Sequence, residues 1–285
     1  MKKKPQPQLV ELTDAKLREL QIKNLQMYEF FADFCTQNGL RFFVCGGCLI
    51  GAVRYGGFLP WDDDIDVIMP REDYKKLMAM GAKIAKSNRF VLQNPDVTTP
   101  YNGNVFATMV DTKYKLVKQN QAHLQNLPCG LVMDIFPLDK VPQNPKADKI
   151  QKIWTLVYML FRAQVVPEKH GGIKAFGSKF LLGLFFAKKL RKKIWQFAEK
   201  KMQKHNHTTA PYIADLCSGP ITMKINYPKE IFADVTTLDF ENTKIQTMAK
   251  YHDYLTIAFG KDYITPPPKE KQICHHDLTL LDLSE

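Results

Sequence analysis

Gly46-Gly47-Cys48-Leu49-Ile50-Gly51-Ala52-Val53-Arg54, followed closely by Trp61-Asp62-Asp63-Asp64-Ile65-Asp66-Val67-Ile68-Met69-Pro70, decides the reading of this chain. A diglycine follows the apolar run at 41–45, and four carboxylates crowd together just before the next apolar run. Side chains alternate along a strand, so Asp62, Asp64 and Asp66 are expected on one face, with Asp63 and Ile65 on the other. Three like charges on one face repel each other and need a compensating cation. Hard oxygen ligands at this spacing suit Mg²⁺ or Mn²⁺ shared with substrate phosphates. The diglycine lets backbone N–H groups approach an anion, and the helix expected after it adds its positive end. Together these are the parts needed for phosphoryl or nucleotidyl transfer. A solvated acidic loop and a plain Gly-Gly turn are the competing readings. Against them, the cluster runs straight into Ile65, Val67, Ile68 and Met69, which read as a buried strand.

The run from Gly46-Gly47 to Arg54, then Gly57 to Val67 and Met69-Pro70-Arg71, resembles the signature of the LicD family, relatives of fukutin and fukutin-related protein. The likeness continues through Val132-Met133-Asp134-Ile135-Phe136-Pro137-Leu138-Asp139, Phe259-Gly260-Lys261-Asp262-Tyr263, Pro266-Pro267 and His275, and is silent over about 145–210. It implies an α/β fold, a nucleotidyltransferase-like mixed sheet core with flanking helices and a helical insertion and C-terminal part. It also implies metal-dependent transfer of phosphocholine, or a related phosphoalcohol, from CDP-choline or another CDP-alcohol. The acceptor would be a sugar of a cell-surface glycan, a lipid-linked glycan or a lipopolysaccharide precursor. Three departures bear on the donor: Cys48 where Ser or Thr is usual, Thr108-Met109 where a Lys often stands, and Lys271-Gln272 before His275.

The individual residues carry roles on this reading. Asp134 lies inside the apolar run at 131–136, where a charge is costly unless it is paired or bound to metal. A structural salt bridge would satisfy it. The resemblance instead makes Asp134 the third metal carboxylate, beside Asp64 and Asp66 and with Asp62 assisting. Asp139, after an expected turn at Pro137, reads as a cap or loop residue. Arg54 is the candidate for the substrate phosphate, with Arg71 nearer to a structural ion pair. Gly46, Gly47 and Cys48 form the phosphate cradle. Trp61 is either core or, with Tyr55 and Phe58, an aromatic cage for a trimethylammonium group. His275 enters by resemblance. The Cys45-x-x-Cys48 pair with Cys274-His275-His276 is too incomplete for a zinc site.

Composition sets outer bounds. The chain has 285 residues, 45% of them hydrophobic, and a net charge of +11, which favours polyanionic partners. The alternative function is a polynucleotide or small-molecule nucleotidyltransferase, the first of which that charge permits, but no nucleic-acid-binding module is recognisable and no specific nucleic acid is expected. Six cysteines without regular spacing, no signal-peptide core and no membrane-length apolar run imply a cytoplasmic protein. Residues 174–193 place the apolar run Phe180–Phe186 before Lys188, Lys189, Arg191, Lys192 and Lys193. That pattern suits either an anionic membrane surface on the inner face of the cell membrane or a core helix with a solvated end.

The organisation expected is a catalytic core over 1–145 with an N-terminal helix, and a mostly helical part over 146–285 packed against it. Thr13 should cap a first helix that buries Leu17, Leu20, Tyr28, Phe31 and Phe34 and stops at Gly39. A single helix is expected over 71–86, with strands near 89–93, 103–110, 114–117 and 131–136.

Overall fold

The computed structural model describes residues 9–94, 104–119, 129–163, 188–274 and 277–284. It is a mixed α/β structure. Helix α1 (Asp14–Gln37) starts at Thr13, whose hydroxyl accepts from the Lys16 N–H, and Gly39 beyond its end takes a positive φ of 61°. Its apolar stripe buries Leu17, Leu20, Tyr28, Phe31 and Phe34, the five positions expected.

Strand β1 (Phe43–Val44) leads into α2 (Gly46–Tyr55), which ends at Gly56 in the left-handed conformation. Strand β2 (Asp66–Pro70) runs directly into α3 (Arg71–Ala79) and then α4 (Gly81–Ala85), so the helix expected over 71–86 breaks near Gly81. Three strands follow: β3 (Phe90–Gln93), β4 (Ala107–Asp111) and β5 (Lys115–Lys118). Strand β6 (Leu131–Val141) leads to α5 (Pro145–Ala163), and α6 (Lys188–Met202) lies against α5. The chain then adds β7 (Tyr212–Asp215), β8 (Tyr227–Pro228), the hairpin β9 (Val235–Phe240) and β10 (Thr243–Met248), α7 (Tyr251–Phe259) and β11 (Leu278–Asp282).

The main sheet has the order β1-β2-β6-β4-β3, with β7 on β6 and β8 on β7. The β2–β6 pair is parallel, and its neighbours are antiparallel. Because β7 joins β6, the sheet crosses the division drawn at 145, and the half expected to be mostly helical supplies β7 to β11. Alternation along β2 sends Val67 and Met69 into a core beneath α1, while Ile68 joins a second core with Phe43, Phe136, Tyr227 and Tyr254.

The turn expected at Pro137 does not form, because β6 continues to Val141. On one edge β6 pairs with β4 through Ile135 and with β7 from Leu138. Pro137 sits in the gap between those partners, where a missing N–H leaves no antiparallel bond unmade. Asp139 is therefore a buried strand residue, not a cap. It holds Arg71, with Nε donating to Oδ1 at 2.8 Å and Nη2 to Oδ2 at 2.5 Å, and accepts from Asn206 Nδ2 at 2.6 Å. Both partners of this ion pair are buried, which takes the Arg71 guanidinium into the structure of the sheet.

Arg71→Leu should lower the unfolding free energy by about 3–5 kcal/mol, because it strands a buried carboxylate. Urea denaturation reads this, and Arg71→Leu/Asp139→Leu should recover much of the loss. A single variant that unfolds like the parent but loses donor affinity would return Arg71 to the substrate.

Candidate catalytic site

The acidic run does not begin as a strand. Residues 62–65 belong to no strand or helix, and β2 starts only at Asp66. Strand alternation therefore misassigns Asp63. One carboxylate oxygen from each of Asp62, Asp63 and Asp64 lies within 4.8 Å of the others, the one such acidic group among the described residues. Asp66 stands directly beside Asp134 in the parallel β2–β6 register, and Thr108 flanks Asp134 from β4.

Side chains hold this loop by its carbonyls. Gln21 Nε2 donates to Leu59 O at 3.2 Å and to Asp62 O at 2.9 Å, and Asn24 Nδ2 donates to Asp63 O at 2.7 Å. Both amides are buried on α1, one helical step apart. From α2, the Cys48 thiol donates to Asp64 O at 3.1 Å, and the Cys45 N–H donates to Asp66 O at 3.1 Å. Burial, then Asp62, Asp64 and Asp66, push the Cys48 thiol far up, so it stays protonated and able to donate. Cys48, expected in a phosphate cradle, is instead a buried clamp on the acidic loop.

The diglycine has a related purpose. A Cβ on Gly47 would lie 2.1 Å from Asp62 Oδ2, so this carboxylate fills the space a side chain would need. Gly46 adopts a φ of 62°, which glycine takes without strain. The Tyr254 hydroxyl lies against the Gly46 N–H at the start of α2.

Electrostatics ask for a cation. Burial, then Asp64 and Asp63, push the Asp62 carboxyl up to about 8, and its Oδ2 has no hydrogen-bond partner. Burial, then Asp64 and Asp134, hold the Asp66 carboxyl well above the usual range, with Lys118 opposing. Thr108 Oγ1 donates to Asp134 Oδ1 at 3.1 Å, and Asn104 Nδ2 donates to Thr108 Oγ1 at 2.9 Å. An orphaned buried oxygen among several crowded hard donors fits a divalent metal ion.

The remaining expected residues lie elsewhere. Arg54 is in the last turn of α2, about 10 Å along the helix from Gly47. Its Nη2 donates to Tyr263 O and, at 2.8 Å, to Thr265 O, so it braces the C-terminal motif rather than reaching the carboxylates. The three aromatics do not form a cage. Phe58 packs edge-on to Phe240 at 4.8 Å inside the first core, Trp61 leans on the second core, and Tyr55 is exposed. His275 lies outside the described residues.

Sequence reasoning turned Asp63 to the wrong face and passed over Gln21, Asn24, Thr108 as a donor to Asp134, and Lys118, which lines a small recess with Asn24, Asp63 and Asp64. Two amides on the buried stripe of α1 were the readable signal, since buried polar side chains require partners.

Residues 39–146 match the family model described as the LicD/FKTN/FKRP nucleotidyltransferase domain. Over 267 residues the chain is 32% identical to the lipopolysaccharide cholinephosphotransferase LicD of Haemophilus influenzae, spanning 91% of this chain and 96% of that protein. The chain belongs to the LicD family. Uncharacterised proteins of Rickettsia typhi and Rickettsia prowazekii are 36% identical over 70 residues and 35% over 72, covering 22% and 23% of this chain and 23% and 27% of their own lengths. In this LicD-family chain the matched segment holds α2, the acidic loop, β2 and β6, and so all four of Asp62, Asp64, Asp66 and Asp134.

Asn24→Ala should cost about 1–3 kcal/mol, since it leaves the buried Asp63 carbonyl without its donor. It should also weaken Mn²⁺ binding measured by calorimetry, because the loop loses one of its clamps. Unchanged unfolding and unchanged titration would show that α1 does not position the loop.

Proposed function

We propose that this protein is a metal-dependent transferase that moves phosphocholine from CDP-choline to a sugar of a lipopolysaccharide-type, lipid-linked glycan. The observation that carries the reading is the pairing of Asp66 with Asp134 beside the Asp62–Asp64 loop. Near-full-length similarity to a protein named as a lipopolysaccharide cholinephosphotransferase supports it.

Asp64, Asp66 and Asp134, with Asp62 assisting, would hold Mg²⁺ or Mn²⁺. Bound there, the ion would neutralise the diphosphate oxygens and the departing CMP. Asp134, fixed by Thr108, takes the proton of the acceptor hydroxyl as its oxygen bonds to phosphorus and the bond to CMP breaks. The Gly46 N–H is taken by the Tyr254 hydroxyl, so the Gly47 N–H at the start of α2 would be the one to face the donor phosphate. Lys118, close enough to oppose the rise at Asp66, supplies the fixed positive charge first sought at Arg54. Choline is read by the carboxylate-rich mouth, with Trp61 the partly exposed ring beside it.

Incubation with CDP-choline, CDP-ethanolamine, CDP-glycerol and CDP-ribitol, with Mg²⁺ or with chelator, should release CMP fastest from CDP-choline and only with metal. Asp66→Asn should lower turnover at least ~10³-fold, about 4 kcal/mol of transition-state stabilisation. Near-normal activity in that variant would sink the metal assignment. Equal efficiency with CDP-glycerol would reject choline alone.

Arg54→Ala should lower the unfolding free energy by about 1–3 kcal/mol, because the carbonyls at 263 and 265 lose their donor. The donor KM should stay near that of the parent. A large rise in KM at unchanged stability would restore Arg54 to the phosphate.

A further inference from the structure

Helices α5 and α6 pack on each other through Tyr158, Phe161, Trp195, Ala198 and Met202. At 3.6 residues per turn, burial of Gln151, Thr155, Tyr158 and Phe161 turns Lys149, Ile150, Ile153 and Leu156 of α5 outward. Ile150 is 56% exposed, Ile153 49% and Leu156 44%, and on α6 Leu190 is 43% and Phe197 51% exposed. Trp154 meets Phe197 edge-to-face at 5.3 Å, so the apolar stripes of the two helices join. Single exposed apolar residues are ordinary, whereas a joined set marks an interaction face.

The rim of this face has one sign of charge. Lys146, Lys149, Lys189, Lys192, Lys193 and Lys200 are exposed around it. Asp148 and Glu199 are the only acidic residues of the two helices, and Asp148 is paired with Lys152 at 2.9 Å. The chain leaves this pair at Ala163 and rejoins it at Lys188, and the intervening sequence includes Phe180-Leu181-Leu182-Gly183-Leu184-Phe185-Phe186. No helix among the described residues is long and apolar enough to cross a membrane.

We propose that the outer face of α5 and α6 docks on an anionic phospholipid surface, its Ile, Leu and Phe side chains entering the headgroup boundary and its lysines facing lipid phosphates. Nucleic acid would match the lysines but leaves no use for Ile150, Ile153, Leu156 and Phe197 at the centre. A protein partner fits less well, since lysine is depleted at such interfaces.

Sedimentation of the full chain with vesicles tests this independently of turnover. Binding should be at least ~10-fold stronger to vesicles containing roughly a third phosphatidylglycerol than to pure phosphatidylcholine, and should weaken in high salt. Ile153→Asp/Phe197→Asp should weaken binding at least ~10-fold while the melting temperature holds, because both positions are on the surface. Lys189→Gln/Lys192→Gln/Lys193→Gln should weaken it and flatten the salt dependence. The proposal is overturned if Ile153→Asp/Phe197→Asp binds like the parent, or if only Leu181→Asp/Leu184→Asp abolishes binding. It is also overturned if the parent binds duplex nucleic acid but no vesicle. Vesicle binding without CMP release would leave this surface standing and reject the transferase reading alone.

Discussion

The carboxylates of Asp62, Asp64, Asp66 and Asp134 crowd together beside two parallel strands, where burial and the neighbouring carboxylates raise the cost of ionising Asp62 and Asp66. Folding has to hold them together without neutralising them. The chain does this through the backbone: Gln21, Asn24, Cys48 and the Cys45 N–H all donate to carbonyls of the acidic loop. Neutral donors aimed at carbonyls hold the loop without using Asp62 Oδ2, which keeps no hydrogen-bond partner. An arginine in the same place would satisfy the charges and fill the space between them. The two arginines nearest in sequence are committed elsewhere, Arg71 to Asp139 and Arg54 to carbonyls.

The same constraint explains why distant motifs meet. Gly51 packs so closely on the following turn that a Cβ there would lie 2.4 Å from Gly57 O. Glu241 closes that turn from the β9–β10 hairpin: its N–H donates to Gly56 O, and its carboxylate accepts from the Phe58 N–H and pairs with Arg18 of α1. Arg54 then ties the end of α2 to the segment at 263–265. Both halves of the chain therefore shape the short passage from diglycine to acidic loop, in keeping with similarity that runs nearly end to end.

Local signals carried much of this architecture. Thr13, the stripe from Leu17 to Phe34 and Gly39 define α1 through capping and period alone, and the apolar run around Asp134 marks β6. What escaped depends on contacts remote in sequence. Whether residues 62–65 form a strand depends on which groups take their carbonyls, and those donors lie about 40 positions away. Pro137 reads as a turn until the gap between β4 and β7 is known. Strand β9 alternates exposed Val235, Thr237 and Asp239 with Thr236, Leu238 and Phe240, but only Leu238 and Phe240 of the inward set are apolar, too short a run to stand out in the sequence. The aromatic cage failed for a similar reason, since nearness in sequence does not decide which core each ring enters.

The outward helices and the carboxylates are joined by a short route of direct bonds. Tyr158, on the buried side of α5, donates its hydroxyl to Val105 O at 2.8 Å. The next residue back, Asn104, donates to Thr108, and Thr108 donates to Asp134. Gln151 fastens the same helix to the far end of β6 and to α6 through Lys140 O and Met202 O. Strand β6 is thus gripped by the helical pair at both ends. On the proposed function, a surface that seats α5 and α6 would also fix Asp134 relative to an acceptor hydroxyl borne on a lipid-anchored sugar. Positioning of this kind lowers the entropic cost of bringing acceptor and donor together.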